Sequence, residues 1–173
     1  AIPAGSEGAL FLPYLAGERT PHMDSFATGV FFGLSVRHTR GHMIRSVMEG
    51  VAFAIRDCLE LFTQIGIHPK DLIIGGGGAK STLWRQIHAD ILNLPVTSVH
   101  TPETSATGAA MLAGIGTGVF SSFQDACEKT ITFGQTTQPL EKHRSRYEEL
   151  YQLYRSLYSA LKEPFHIRGS LIL

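Results

Sequence analysis

The chain has 173 residues, 43% hydrophobic and 17% charged, with a mean hydropathy of +0.05; this balance fits one soluble globular domain with a real core and excludes a disordered segment. Lys plus Arg equals Asp plus Glu at 15 each, so no basic surplus recommends nucleic acid or an anionic membrane as partner. No apolar run approaches the ~20 residues of a membrane span.

The chain opens on Ala1-Ile2-Pro3-Ala4-Gly5 with neither an initiator methionine nor a targeting segment, and it reads as a piece of something longer. Ala9 to Leu15 is a short apolar run that ends at the loop Gly17-Glu18-Arg19-Thr20-Pro21. Gly29 to Val36 has the β-branched and aromatic content of a buried strand. From about Thr39 the period changes. Ile44, Val47, Met48, Val51, Ile55, Leu59, Phe62 and Ile65 recur every three or four residues, as the core face of a long helix would. Gly66 suits its C-terminal end, and Pro69 follows where a helix does not easily resume.

Two strand-and-helix units come next. Asp71 to Ile74 predicts a short strand, and Ser81 to Leu92 a helix with Leu83, Ile87 and Ile91 on its apolar face beside Trp84. Pro95 to Val99 predicts a second strand and Ser105 to Gly116 a helix of small residues. This alternation implies parallel strands with helices packed across them. Ser121 to Lys129 is a further short helix capped by Ser121 or Ser122. The segment from Pro139 to Lys162 carries a stripe of Tyr147, Leu150, Tyr151, Tyr154, Leu157, Tyr158 and Leu161. It reads as a helix laid on the domain with its hydroxyls at the rim, a dimer contact being the alternative. Residues 164–173 are left unassigned. Cys58 and Cys127, without a CxxC pattern, read as two buried free thiols of a reducing, cytoplasmic compartment.

The strongest chemical signal is Ile73-Ile74-Gly75-Gly76-Gly77-Gly78-Ala79-Lys80-Ser81, a strand running into a helix. Glycine lets the backbone turn tightly and approach a ligand with no Cβ in the way. The unpaired N–H groups and positive dipole end of the next helix favour a phosphate. Lys80 and Ser81 add a charge and a hydroxyl at the same mouth. A Walker loop requires glycine where Ala79 and Ile74 stand, so that reading fails twice. A dinucleotide fingerprint lacks its third glycine, Lys80 standing there. It keeps some support from Glu103, which lies near the end of the next strand where a ribose-binding acid belongs. Taken alone, the turn says nucleotide phosphate or adenosine.

Other candidates are weaker. His38 and His42 could share a helix face, but no third ligand stands nearby and a capping or solvated role is the commoner one. Glu49 faces either a ligand cleft or solvent. Arg19, between Gly17 and Pro21, is aimed either at a phosphate or into a surface salt bridge. No nucleophile triad or carboxylate pair can be assembled.

Four stretches together resemble one family. These are Leu12-Pro13-Tyr14-Leu15-Ala16-Gly17-Glu18-Arg19-Thr20-Pro21-His22, the run from Gly29 through Gly33-Leu34 to His42 and Glu49, the turn Gly76 to Ser81 with Trp84 and Asp90, and Thr104 to Gly118. In this order and spacing they resemble the FGGY family of carbohydrate kinases, in its xylulokinase branch. The resemblance implies an α/β fold, the second domain of the actin-like ATPase (ribonuclease H-like) architecture, with a mixed sheet flanked by helices and its first strands absent. Residues 1–163 would be the C-terminal nucleotide-binding domain. The implied activity is transfer of the γ-phosphoryl of MgATP to a sugar hydroxyl, the 5-hydroxyl of D-xylulose in that branch. ATP or ADP with Mg²⁺ is the implied cofactor set, and a ketopentose and the N-terminal kinase domain are the implied partners. Gly76, Gly77, Gly78, Ala79, Lys80 and Ser81 would form the nucleotide turn. Gly76 and Gly77 would approach the adenosine and α-phosphate, and Ser81 stands where some relatives keep an asparagine. The family's catalytic aspartate lies upstream of the matched region, so Asp24, Asp57 and Asp71 are not assigned that role. Without the other half, turnover is not expected. A dinucleotide-binding domain of an oxidoreductase is the alternative.

Overall fold

The computed structural model describes residues 2–100 and 104–172. The chain divides into two compact units. One comprises Ala1–Pro69, Asp90–Asn93 and Pro139–Leu173, and the other Lys70–Ala89 and Leu94–Gln138.

In the first unit, β1 (Leu10–Leu12) pairs antiparallel with β2 (Val30–Phe32). β1 is wholly buried, but β2 is half-buried at Val30 and exposed at Phe31 and Phe32, so it is not the buried strand its composition suggests. Helix α1 (Arg40–Gln64) lies against β1 so closely that a Cβ on Gly50 would run into the Phe11 carbonyl oxygen. Only glycine fits there, and this contact fixes which face of α1 turns inward. The buried set is His42, Ser46, Glu49, Gly50, Ala52, Phe53 and Asp57. The expected core stripe is displaced: Ile44, Ile55, Phe62 and Ile65 are exposed, while Val47, Met48, Val51 and Leu59 are half-buried. Backbone approach and carboxylate pairing, not hydrophobicity, choose the face.

The tyrosine-rich segment forms α5 (Glu141–Ile172), longer than expected. It runs on through Pro164, because Phe165 and Gly169 are buried and His166 Nε2 reaches Asp24 Oδ1 at 3.2 Å. A proline disfavours a helix interior but does not forbid it where tertiary contacts hold the next turn. The tyrosine hydroxyls are not at the rim. Tyr147 donates to Glu49 (2.8 Å), Tyr151 to Asp57 (2.7 Å), Tyr154 to the Tyr14 hydroxyl (3.2 Å) and Tyr158 to Asp24 (3.0 Å), all in the interior. Their rings gather around Phe53, with centroids 5.2 to 6.1 Å away for Tyr147, Tyr151 and Tyr154. At the start of α5, Asp90 accepts from the Leu140 N–H (2.8 Å) and pairs with His143 (2.7 Å).

The second unit holds a three-stranded mixed sheet in the order β3 (Leu72–Ile74), β4 (Val96–Val99), β5 (Phe133–Thr137). β3 and β4 are parallel, as the strand-and-helix alternation predicts. β5, a polar strand with no apolar run to announce it, adds antiparallel to β4, with a bulge between Thr97 and Val99. Helices α2 (Thr82–Leu92), α3 (Thr104–Gly116) and α4 (Phe123–Thr130) follow the expected segments. Ser122 caps α4, its Oγ accepting from the Asp125 N–H at 3.1 Å. Of the two thiols, both unpaired, Cys58 is half-buried and Cys127 is exposed, not buried. No helix of the described residues is long and apolar enough to cross a membrane.

Candidate functional site

Between β3 and α2 the chain makes a short 3-10 turn, Gly77–Lys80, entered through Gly76 in a left-handed conformation (φ 77°). An L side chain at that φ is strained, so glycine is needed for the backbone itself. Gly75 is needed for packing, since a Cβ there would press on Thr104 Cγ2 (3.1 Å) and Val99 Cγ2 (3.2 Å). Gly78 lies under Trp84, whose Nε1 a Cβ would approach to 3.1 Å. Gly76 and Gly77 differ: a Cβ on either meets nothing within 4 Å. Neither N–H donates to a backbone acceptor among the described residues. Two glycines thus present bare backbone to open space.

That space is a cleft of about 770 Å³. One wall is the turn, through Gly76, Gly77, Ala79 and Lys80. Another is the C-terminal end of β4 at Ser98, Val99 and His100, and the start of α3 brings Thr104 and Ser105 to it. Ligands of open α/β sheets favour this placement, outside the carboxyl ends of parallel strands. Four of the six expected turn residues line the cleft. Gly78 is turned under Trp84, and the Ser81 hydroxyl accepts from the Trp84 N–H at 3.2 Å as the cap of α2.

Arg85 and Gln135 complete the lining. Sequence reasoning missed both. Gln135 sits on the unpredicted β5, and Arg85 is a charged residue on a helix face read only for its apolar members. His88, one turn after Trp84, is buried, which pushes its pKa below the ordinary histidine value; its Nδ1 lies 2.9 Å from the Trp84 carbonyl and its ring 4.6 Å from the indole. Glu103 lies outside the described residues.

The remaining candidates have structural employment. His42 Nδ1 accepts from the Thr39 N–H (3.1 Å) and, with the Thr39 side chain, closes a capping box at the start of α1. His38 Nδ1 accepts from the Ser35 N–H at 2.8 Å. Among the described residues no three His, Cys, Asp or Glu gather to hold a metal. Glu49 faces neither a cleft nor solvent. It is 1% exposed and takes hydrogen bonds from Gly5 N–H, Ser6 Oγ, Arg45 Nε and Tyr147 hydroxyl at 2.7 to 2.8 Å. Arg19 is exposed beside a shallow hollow of about 450 Å³, in a loop that Glu18 closes by accepting the N–H groups of Thr20 (2.8 Å) and His22 (2.6 Å). Arg19 forms no salt bridge among the described residues.

Residues 1–117 match the model of the FGGY family of carbohydrate kinases, C-terminal domain. The chain is 39% identical to a xylulose kinase of Bacillus subtilis over 163 residues, which is 94% of this chain and 33% of that relative. It is 36% identical to a gluconokinase of Bacillus licheniformis, over 95% of this chain and 32% of that relative. A crystal structure of xylulose kinase from Rhodospirillum rubrum superposes with a TM-score of 0.83 at 37% identity, covering 95% of this chain and 33% of that one. The chain therefore spans about a third of the length of the relatives it matches.

Proposed function

The chain belongs to the FGGY family of carbohydrate kinases, and from that premise we propose that it supplies part of the nucleotide site of an ATP-dependent sugar kinase. The open glycine pair, Gly76 and Gly77, carries this reading. A nucleotide's ribose and α-phosphate need backbone N–H donors that no Cβ screens, and these two residues offer them at the mouth of a cleft. Lys80 at the same rim adds a positive charge for the phosphates. The transferred group is the γ-phosphoryl of ATP and the acceptor a sugar hydroxyl. We assign the 5-hydroxyl of D-xylulose, because xylulose kinases recur among the relatives.

Phosphoryl transfer rests on positioning and charge stabilisation. This chain's share is to hold the nucleotide, and a catalytic base and sugar contacts belong to another part of the kinase. Mg²⁺ would travel with ATP as its phosphate complex. The described residues form no cage for it. The exposed apolar face of α1, with Ile44, Ile55 and Phe62, suits a chain whose relatives continue well beyond its length. The dinucleotide alternative is separated by the same experiment.

Titration of the 173-residue chain with ADP in a calorimeter is expected to give weak, saturable binding, whereas NADH gives none and ATP with D-xylulose gives no turnover. NADH binding tighter than ADP binding would transfer the site to the dinucleotide reading. Sugar phosphorylation by the chain alone would show that it carries its own base.

A further inference from the structure

We propose that Arg85 is the positioning residue of the glycine-rich turn, its guanidinium holding the Ala79 carbonyl so that the Gly76 and Gly77 amides stay presented to the cleft. The proposal rests on the nucleotide reading for its ligand, but not for its geometry.

The turn does not hold itself. Gly75 to Gly78 carry no side chains, and glycine loses more conformational freedom on ordering than any other residue. Inside the turn the backbone bonds Ala79 N–H to Gly76 O (3.2 Å) and Ser81 N–H to Gly78 O (3.0 Å) are the anchors. Something outside it must fix the remaining freedom. Arg85, one turn into α2, does so. Its Nη1 donates to the Ala79 carbonyl at 2.5 Å, and its Nη2 lies at the outer limit of hydrogen bonding, 3.5 Å, from both Thr82 Oγ1 and Gln135 Oε1. One planar fork therefore reaches the turn, the first residue of α2 and β5, and Ala79, Arg85 and Gln135 all line the cleft.

The electrostatics favour a functional reason. Arg85 is 8% exposed, takes part in no ion pair among the described residues, and its Nε has no partner there. Burying a guanidinium without a carboxylate costs stability. A methionine or leucine would fill the same space without that cost, so packing does not account for an arginine. Lysine would supply the charge and a single donor direction, but not the two-pronged grip.

The test uses the whole chain and two variants, Arg85→Met and Arg85→Lys. Trp84, the single tryptophan, touches the turn at Gly78 and reports its conformation by emission far below the melting temperature. In Arg85→Met we expect a shifted native emission spectrum and ADP binding weakened roughly tenfold or more, the size expected from loss of a charge-assisted hydrogen bond. Arg85→Lys, which keeps the charge and one donor, is expected to lie between Met and wild type in both readouts. Loss of stability alone, with native emission and ADP affinity unchanged in either variant that folds, overturns the proposal. If the wild-type chain itself does not bind ADP, the nucleotide reading fails and emission alone decides: a shift in Arg85→Met, or in Arg85→Lys should Met not fold, supports positioning, and an unchanged spectrum overturns it.

Discussion

In the first unit both carboxylates that α1 buries have partners. Glu49 is held by a left-handed turn, an arginine and a tyrosine, and Asp57 by the Tyr151 hydroxyl with Arg155 at 4.0 Å. In the second unit the turn between β3 and α2 leaves two amides without a backbone acceptor among the described residues, above open space. Polar groups sealed and paired specify a fold, because a buried donor or acceptor without a partner is costly. Polar groups displayed without partners are what a binding site looks like before its ligand arrives. Glu49, which the sequence left open between a ligand cleft and solvent, faces neither.

The contrast is broken most severely at Glu49. Glu49→Ala leaves Arg45 Nε and the Tyr147 hydroxyl without their acceptor and frees Gly5 and Ser6, which hold positive φ values of 82° and 46° against that carboxylate. Removing one member of a buried charged pair costs about 3–5 kcal/mol. Urea unfolding should show that loss, and a change below about 1 kcal/mol would mean the carboxylate behaves as a surface group. Gly169→Ala comes second. Its Cβ would enter the Phe26 ring, and overpacking of this kind costs about 1–3 kcal/mol. A neutral result would mean that the Phe26 contact does not hold the last turns of α5.

A third prediction is silent at neutral pH. Burial pushes the Tyr14 and Tyr158 hydroxyls up to about 12 from 10.0, with further upward pressure on Tyr158 from its hydrogen bond to Asp24. Burial also raises Tyr147, Tyr151 and Tyr154. A group whose folded pKa exceeds its unfolded one contributes stability that is intact below pH 10.0 and is lost as pH rises through about 12. The first unit should therefore unfold in that window, with phenolate absorbance and loss of helix rising together. Phenolate appearing while the helix signal stays native would show the hydroxyls open to solvent.

How much of this was legible in the sequence follows the physics of each signal. The helices α1 to α4 were legible because period, caps and terminal glycines are local properties, and Ser122 is an example. The face of α1 was not, because it depends on Phe11 lying against Gly50, a contact between distant residues that no periodicity encodes. β5 was missed because Phe133-Gly134-Gln135-Thr136-Thr137 is polar and becomes a strand by pairing with β4. The end of α5 was missed because Pro164 is a local stop signal that Phe165, His166 and Gly169 override through tertiary contacts. Of the cleft's lining, the glycine turn was legible from its composition, but Arg85 was not. A buried arginine shows itself only when the chain is folded around it.

The smallest expected effect on stability is the most informative about function. Gly77 does not have the left-handed φ of Gly76, and a methyl group there meets nothing within 4 Å. Gly77→Ala should therefore leave the melting temperature unchanged or slightly raised, since alanine has fewer unfolded conformations to lose. The same methyl group would stand in the cleft that we propose as the nucleotide's seat, so on that reading ADP affinity should fall at least about tenfold. Gly76→Ala is the control, because its φ of 77° adds strain to the same obstruction and both stability and binding should fall. Full ADP binding in a stable Gly77→Ala chain would mean that the ligand avoids the turn, and the open glycine pair would lose its claim to be the nucleotide's seat.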